Sequence, residues 1–196
     1  GTTSAPYSSG QYNTAVGAGA LTGFTTGANN VVVGSGAGDN ITTGAKNIVI
    51  GVDALDALTT GIQNVAIGAN AMGSADGAEQ RNIAIGDGAL YDLADAGGAN
   101  ASDYNVAIGY EAGTNASTSA KNVFIGFEAG HGNDSAALTG DANTCVGYFS
   151  GRALEAAANT NTLIGDRSGN AITTGDNNVM IGSTAGTTGT DNTTTG

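Results

Sequence analysis

Few side chains in this sequence could carry chemistry. One histidine (His131), one cysteine (Cys145) and 17 acidic residues stand against 5 Lys and Arg, for a formal net charge of −12. No Ser-His-Asp set, carboxylate pair or metal-binding phrase recurs in a useful way. Catalysis needs convergent titratable groups, so no enzyme activity, cofactor or metal is expected. Thirteen aspartates raise calcium, but the Gly-Gly-x-Gly-x-Asp phrase of calcium-binding rolls is absent. The aspartates also fall at different repeat positions, with Asp53 six residues after its Asn and Asp87 and Asp166 five. Surface solubilisation accounts for them. The remaining candidate chemistry is recognition. Tyr110, Phe127 and Tyr148 occupy one position in three successive repeats, with Glu111 and Glu128 beside the first two. Exposed aromatics suit stacking on sugars or proteins; the alternative is an aromatic ladder that only stabilises the stack. The two longest insertions, around Asp95 to Tyr104 and around His131 to Asp141, flank this region, and extruded loops commonly carry recognition. His131 is expected to be a loop residue. Cys145 reads as packing, with interchain oxidation open to it if copies of the chain meet there.

These residues sit on an array. The phrase Asn, then Val, Ile or Thr, a variable residue, Val or Ile, then Gly begins at Asn13, Asn30, Asn47, Asn64, Asn82, Asn105, Asn122, Asn143, Asn161 and Asn178. The steps are 17, 17, 17, 18, 23, 17, 21, 18 and 17 residues. Four residues after each Asn stands Gly17, Gly34, Gly51, Gly68, Gly86, Gly109, Gly126, Gly147, Gly165 or Gly182. Three residues further on is a small side chain, Ala in eight copies and Ser150 and Ser168 in two. Thr-Thr-Gly leads into several copies, as at Thr25-Thr26-Gly27 and Thr42-Thr43-Gly44, and Ser8-Ser9-Gly10 does so before Asn13. Thr187-Thr188-Gly189 before Asn192 marks an eleventh, cut-off copy. Residues 1–196 therefore read as one array without an internal domain boundary, and as a segment of a longer fibre.

A period near 17 is too short for helical-pair or propeller repeats of about 33 to 50 residues. It suits one coil of a parallel β-solenoid of about 11 rungs. Val and Ile favour strands, Asn and Gly punctuate bends, and interior Gly costs a helix about 1 kcal/mol each. The ten Asn are expected to form an internal ladder, and the glycines to permit left-handed φ or a close chain approach. Counting from each Asn as position 0, positions +1 and +3 share one strand face. Because +3 is always Val or Ile, that face is expected to build the core of the coil. Position +2 (Ala15, Val32, Val49, Ala66, Ala84, Ala107, Phe124, Cys145, Leu163, Met180) contains no polar residue and is expected to pack against other chains. Position +11 supplies a further apolar row: Phe24, Ile41, Leu58, Leu93, Leu154 and Ile172.

The acidity argues against nucleic acid or an anionic membrane as partner. No apolar run reaches the ~18 residues of a membrane span. One cysteine excludes an intrachain disulfide framework. The Thr-Thr-Gly rows break near residues 75 to 140, so a corner role for the hydroxyls is expected rather than a flat ice-binding face. Asn-x-Ser/Thr phrases at Asn40, Asn100, Asn115, Asn133 and Asn192 permit glycosylation in a suitable host.

The phrases Asn64-Val-Ala-Ile-Gly-Ala-Asn-Ala and Asn105-Val-Ala-Ile-Gly-Tyr-Glu-Ala resemble the head repeats of trimeric autotransporter adhesins, and more closely the related repeats of bacteriophage tail fibres, where Thr-Thr-Gly-x-x-Asn joins successive copies. The resemblance covers residues 8 to 196. It implies a left-handed β-roll, a homotrimer about one axis, an extracellular or virion location, and a role in fibre construction or attachment to a host glycan or protein receptor. The family's heads usually have shorter repeats, so each coil here must have a larger corner. A self-assembling extracellular filament, and a glycan-binding module at the aromatic residues, are the alternatives.

Overall fold

The structure, a computed structural model, describes residues 9–94, 102–132 and 136–186. Ser8, the corner at Thr187-Thr188-Gly189 with Asn192, and the phrases at Asn100 and Asn133 lie outside the described residues. Within them the chain is all-β, with ten three-residue strands: β1 (Thr14–Val16), β2 (Val31–Val33), β3 (Ile48–Ile50), β4 (Val65–Ile67), β5 (Ile83–Ile85), β6 (Val106–Ile108), β7 (Val123–Ile125), β8 (Thr144–Val146), β9 (Thr162–Ile164) and β10 (Val179–Ile181). They form one parallel sheet in sequence order. Register is continuous: Ala15 pairs with Val32, Ala84 with Ala107 across the 23-residue step, and Phe124 with Cys145 across the 21-residue step. Each coil also bonds to the next around its corners, as in Leu21 N–H to Ala37 O at 3.0 Å and Thr25 N–H to Thr42 O at 2.9 Å. The result is a β-solenoid.

Glycine at +4 sets the corner that ends every strand. Its φ runs from 125 to 147° in all ten coils, outside the left-handed well near +57° that other residues can enter. A Cβ at Gly17 would lie 2.2 Å from the Gly34 carbonyl oxygen, and at Gly34 2.0 Å from that of Gly51. The same clash recurs down the column to Gly165, where Gly182 O is 2.5 Å away.

The side chains fill the coil in the opposite sense to the alternation expected above. Position +2 points inward: Val32, Val49, Ala66, Ala84, Ala107, Phe124, Cys145 and Leu163 are fully buried. Positions +1 and +3 point outward, and Val16 and Ile181 are 57% and 68% exposed. The reason is Asn at position 0. It shares parity with +2 on the strand, and Asn30 to Asn161 are fully buried. Position +11 packs inward as expected, with Ile41, Leu58, Leu93 and Leu154 buried and Phe24 and Ile172 partly so.

In eight of the ten coils core volume is shared out between +2 and +8, both of which face the interior; Val49 with Leu55 are both large, and Ala107 with Gly113 both small, the space at Gly113 being taken by the Phe124 ring of the next coil. Position +8 has positive φ in every coil and is Gly in six. Beside Phe124, a Cβ on Gly130 would lie 2.1 Å from the ring; Gly151 has Cys145 Sγ at 2.5 Å, and Gly186 has Met180 Sδ at 2.1 Å. Where +2 is only Ala15, Ala66 or Ala84, +8 is instead Leu21, Met72 or Leu90, buried at φ of 50–53°. The left-handed backbone costs such a residue about 1 kcal/mol, less than the roughly 1.5–3 kcal/mol gained by burying it.

The Asn side chains form an unbroken spine. Oδ1 of Asn105 accepts from the backbone N–H of Asn122 at 3.0 Å and from its Nδ2 at 3.2 Å. Nδ2 of Asn122 then reaches the Gly140 carbonyl of the following coil at 3.1 Å. The pattern runs from Asn13, bonded to Gly27 O, to Asn161, bonded to Gly175 O. Asn178 continues it upward, but its Oδ1 is buried without a partner. Asn122→Ala is expected to cost on the order of 4 kcal/mol, because the two donors of Asn143 and the Gly140 carbonyl lose their partner away from water. Asn178→Ala should cost only about 1 kcal/mol. Urea denaturation of the two variants checks the contrast.

Candidate functional site

Two exposed features stand apart from this repeating interior. The first is the aromatic column. Position +5 follows the glycine corner, so the coils stack its side chains one per layer, spaced by the inter-strand distance of about 4.8 Å. Tyr110 and Phe127 stack with ring centroids 5.0 Å apart and 16° between planes. Phe127 and Tyr148 follow at 5.4 Å and 22°. Phe149 at +6 meets Phe127 edge-on at 5.6 Å and Tyr148 at 4.1 Å. The Arg167 guanidinium lies 5.2 Å over Tyr148, and that of Arg152 5.2 Å over Phe149. Sequence reasoning did not find Phe149, Arg152 or Arg167. Each arginine stands once at its repeat position, Arg152 at +9 and Arg167 at +6, so the repeat pattern carried no sign of them.

The carboxylates beside the column are engaged. Glu128 pairs with Arg152, and Glu111 approaches His131 Nε2 at 3.5 Å. His131 is therefore not an open loop side chain: it is buried, with Nδ1 2.7 Å from the Gly132 carbonyl. A hydrogen bond to Glu111 and the charge of that carboxylate hold the Tyr110 phenol above its ordinary range. Elsewhere desolvation raises Asp56, helped by the charge of Asp53, and desolvation also raises Asp92.

This geometry limits what the column can recognise. Stacking on a sugar needs an open ring face. Both faces of Phe127 are covered by its neighbours, and Tyr148 lies between Phe127 and Arg167. One outer face, at Tyr110, remains at the end of the stack. The column presents ring edges and hydroxyls, the arrangement of a stabilising ladder.

The second feature is the outward face of the sheet. Its twenty +1 and +3 positions hold seventeen Val or Ile and three Thr (Thr14, Thr144, Thr162), with no charge. Ile48, Ile50, Ile108, Ile125 and Ile164 are all exposed there. At ten strands the stripe runs on the order of 45 Å along the rod. An uncharged apolar surface of that extent, on a chain this acidic, marks an interaction surface.

Cys145 lies on neither feature. It is buried at +2 against Gly151, not at an intermolecular axis, and burial pushes its thiol well above the ordinary range. A thiol enclosed within its own coil is out of reach of the interchain oxidation considered for it. Among the described residues no three of His, Cys, Asp and Glu come together as a metal site.

Phe127→Ala is expected to destabilise by about 2 kcal/mol and Tyr110→Ala by about 1, since Phe127 loses stacking on both sides. Denaturant midpoints at unchanged slope check the order. Cys145 should fail to react with a thiol reagent in the native protein and react fully once the chain is unfolded.

Comparison with protein-family models, with curated proteins and with solved structures finds no match to this chain.

Proposed function

We propose that this chain is a structural fibre segment, the shaft or head of a homotrimeric β-roll that serves attachment in a phage tail fibre or a surface adhesin. The observation that carries the reading is the uncharged +1/+3 sheet face. The coil fills its own interior with +2, +8 and +11, so these outward rows are not needed for the monomer's core. A second copy offers a surface of the same flatness, chemistry and inter-strand repeat. Three copies about one axis bury the face of each and leave the remaining sides in solvent. The repeats' likeness to adhesin heads and tail-fibre repeats supports the same arrangement, with +1 and +3 at the shared axis rather than +2. The mechanism is mechanical. Parallel hydrogen bonds, the Asn spine and the glycine column give a stiff rod, and the residues inserted at the two longest steps meet a surface glycan or protein receptor outside the cell or on the virion.

Light scattering on a size-exclusion column tests the reading. The native mass should be near three times 18.9 kDa. A monomer overturns the trimer, and a mass that climbs with concentration favours an end-to-end filament. Ile108→Lys with Ile125→Lys places charges on adjacent strands of the face and should give a folded monomer, with an unchanged circular dichroism spectrum, if the face is the interface.

A further inference from the structure

The charges bordering the sheet face are sorted by edge. Position −1, the left-handed corner that opens each strand, carries Lys46, Arg81 and Lys121, three of the five basic residues, and no acid. The opposite corner, at +5 and +6, carries Asp53, Asp87, Glu111, Glu128 and Asp166 and one base, Arg167. Within one coil the two corners stand at opposite ends of the strand, six or seven residues apart in sequence, and none of the ion pairs among the described residues joins them.

The sorting is also matched coil by coil. Lys46 and Asp53 flank β3, Arg81 and Asp87 flank β5, and Lys121 and Glu128 flank β7. No coil has a base at −1 without an acid at +5 or +6. The two acids whose coil has no base at −1, Glu111 and Asp166, have a partner within the same chain, His131 and Arg167. Among the described residues the ion pairs are those of His131, Arg152 and Arg167. None involves Lys46, Arg81, Asp53 or Asp87. Glu128 is held by Arg152, so Lys121 meets a carboxylate already engaged. Arg81 lies 3.0 Å from the Tyr104 hydroxyl on the same edge. The acids next to this edge at −2 are occupied with backbone: Asp103 accepts from Gln80 N–H at 2.7 Å, Asp141 from Ala120 and Asp176 from Asn159.

We infer that the partner on the sheet face is a second copy of this chain running parallel and in coil register, with the −1 edge of one copy against the +5/+6 edge of the next, so that Lys46 meets Asp53 and Arg81 meets Asp87 of a neighbour. This rests on the reading that copies of the chain cover the face. Rotation about an axis along the rod keeps each coil at its own height and brings unlike edges together, as a closed ring of heterologous contacts requires. Reversing one rod destroys the match, because the coil of β3 would then face the coil of β8, where +5 and +6 are Tyr148 and Phe149.

Charge exchange tests the pairing. Lys46→Glu with Arg81→Glu should weaken association about tenfold or more at low salt, since each contact then sets like charges together. Asp53→Lys with Asp87→Lys should weaken it similarly. The fourfold variant carrying both exchanges should recover wild-type association within a few-fold. All the altered side chains are exposed, and circular dichroism with thermal melting confirms that each variant is folded. If the first double variant associates like wild type, or the fourfold variant does not recover, the edge pairing is overturned while the oligomer stands. A monomeric wild type removes the covered face itself, and the pairing with it.

Discussion

The backbone carbonyl of each +4 glycine occupies the space where a Cβ on the preceding coil's +4 residue would sit. Everything regular about the rod depends on that contact. At 2.0–2.5 Å between the notional Cβ and the oxygen, no side chain fits, and the φ of 125–147° excludes other residues independently. The corner therefore turns at the same residue in every coil, each strand stops after three residues, and successive corners nest at the inter-strand spacing. The left-handed residues at −1, +6 and +8 are less exclusive. Lys, Tyr, Glu, Leu and Met all occur there, because φ near 50–63° lies in a well that L-residues enter at modest cost.

Fixed corners make a buried Asn column tolerable. An isolated buried amide is costly to desolvate, and one coil could not satisfy it alone. Stacking does: from Asn30 to Asn161 each Oδ1 finds two donors in the next Asn, and each Nδ2 finds both the previous amide and a corner carbonyl, as at Asn105. Folding of each coil is thereby tied to its neighbours, and the contacts are nearest-neighbour, as expected of a solenoid. Ser150 and Ser168 follow the same rule, donating to the Leu163 and Met180 carbonyls of the adjoining coils in place of the Ala found at the other copies.

Much of this was legible in the residues. The period, the parallel stack, the Asn ladder, the role of glycine and the +11 row all follow from spacing and residue type. The direction of the two strand faces did not come from alternation, because both faces are apolar and a period of two carries no sign. The deciding clue was parity. An Asn ladder inside the coil forces +2 inside, and the exchange of volume between +2 and +8, Ala15 with Leu21 against Phe124 with Gly130, says the same. The aromatic column was visible as a run at +5, but its closed ring faces were not. They depend on Arg167 and Phe149, whose approach is set by three-dimensional stacking rather than by sequence spacing.

The insertions show how the rod separates its tasks. The 23-residue step adds its residues between Leu93 and Ser102, and the 21-residue step between His131 and Asp141, yet β5 to β6 and β7 to β8 stay in register. In sequence, the added residues fall between strands and interrupt none of them. The sheet edge and face pay a large penalty for change, since one displaced corner would unpair the glycine column, the Asn spine and the apolar stripe together. Away from the sheet, among the described residues, the coils are joined by separate backbone bonds and by the isolated bridges of Ala116 with Leu138 and Leu138 with Ala156. A chain built this way can change length between its strands without altering how it stacks, which is the property the proposed fibre segment would need.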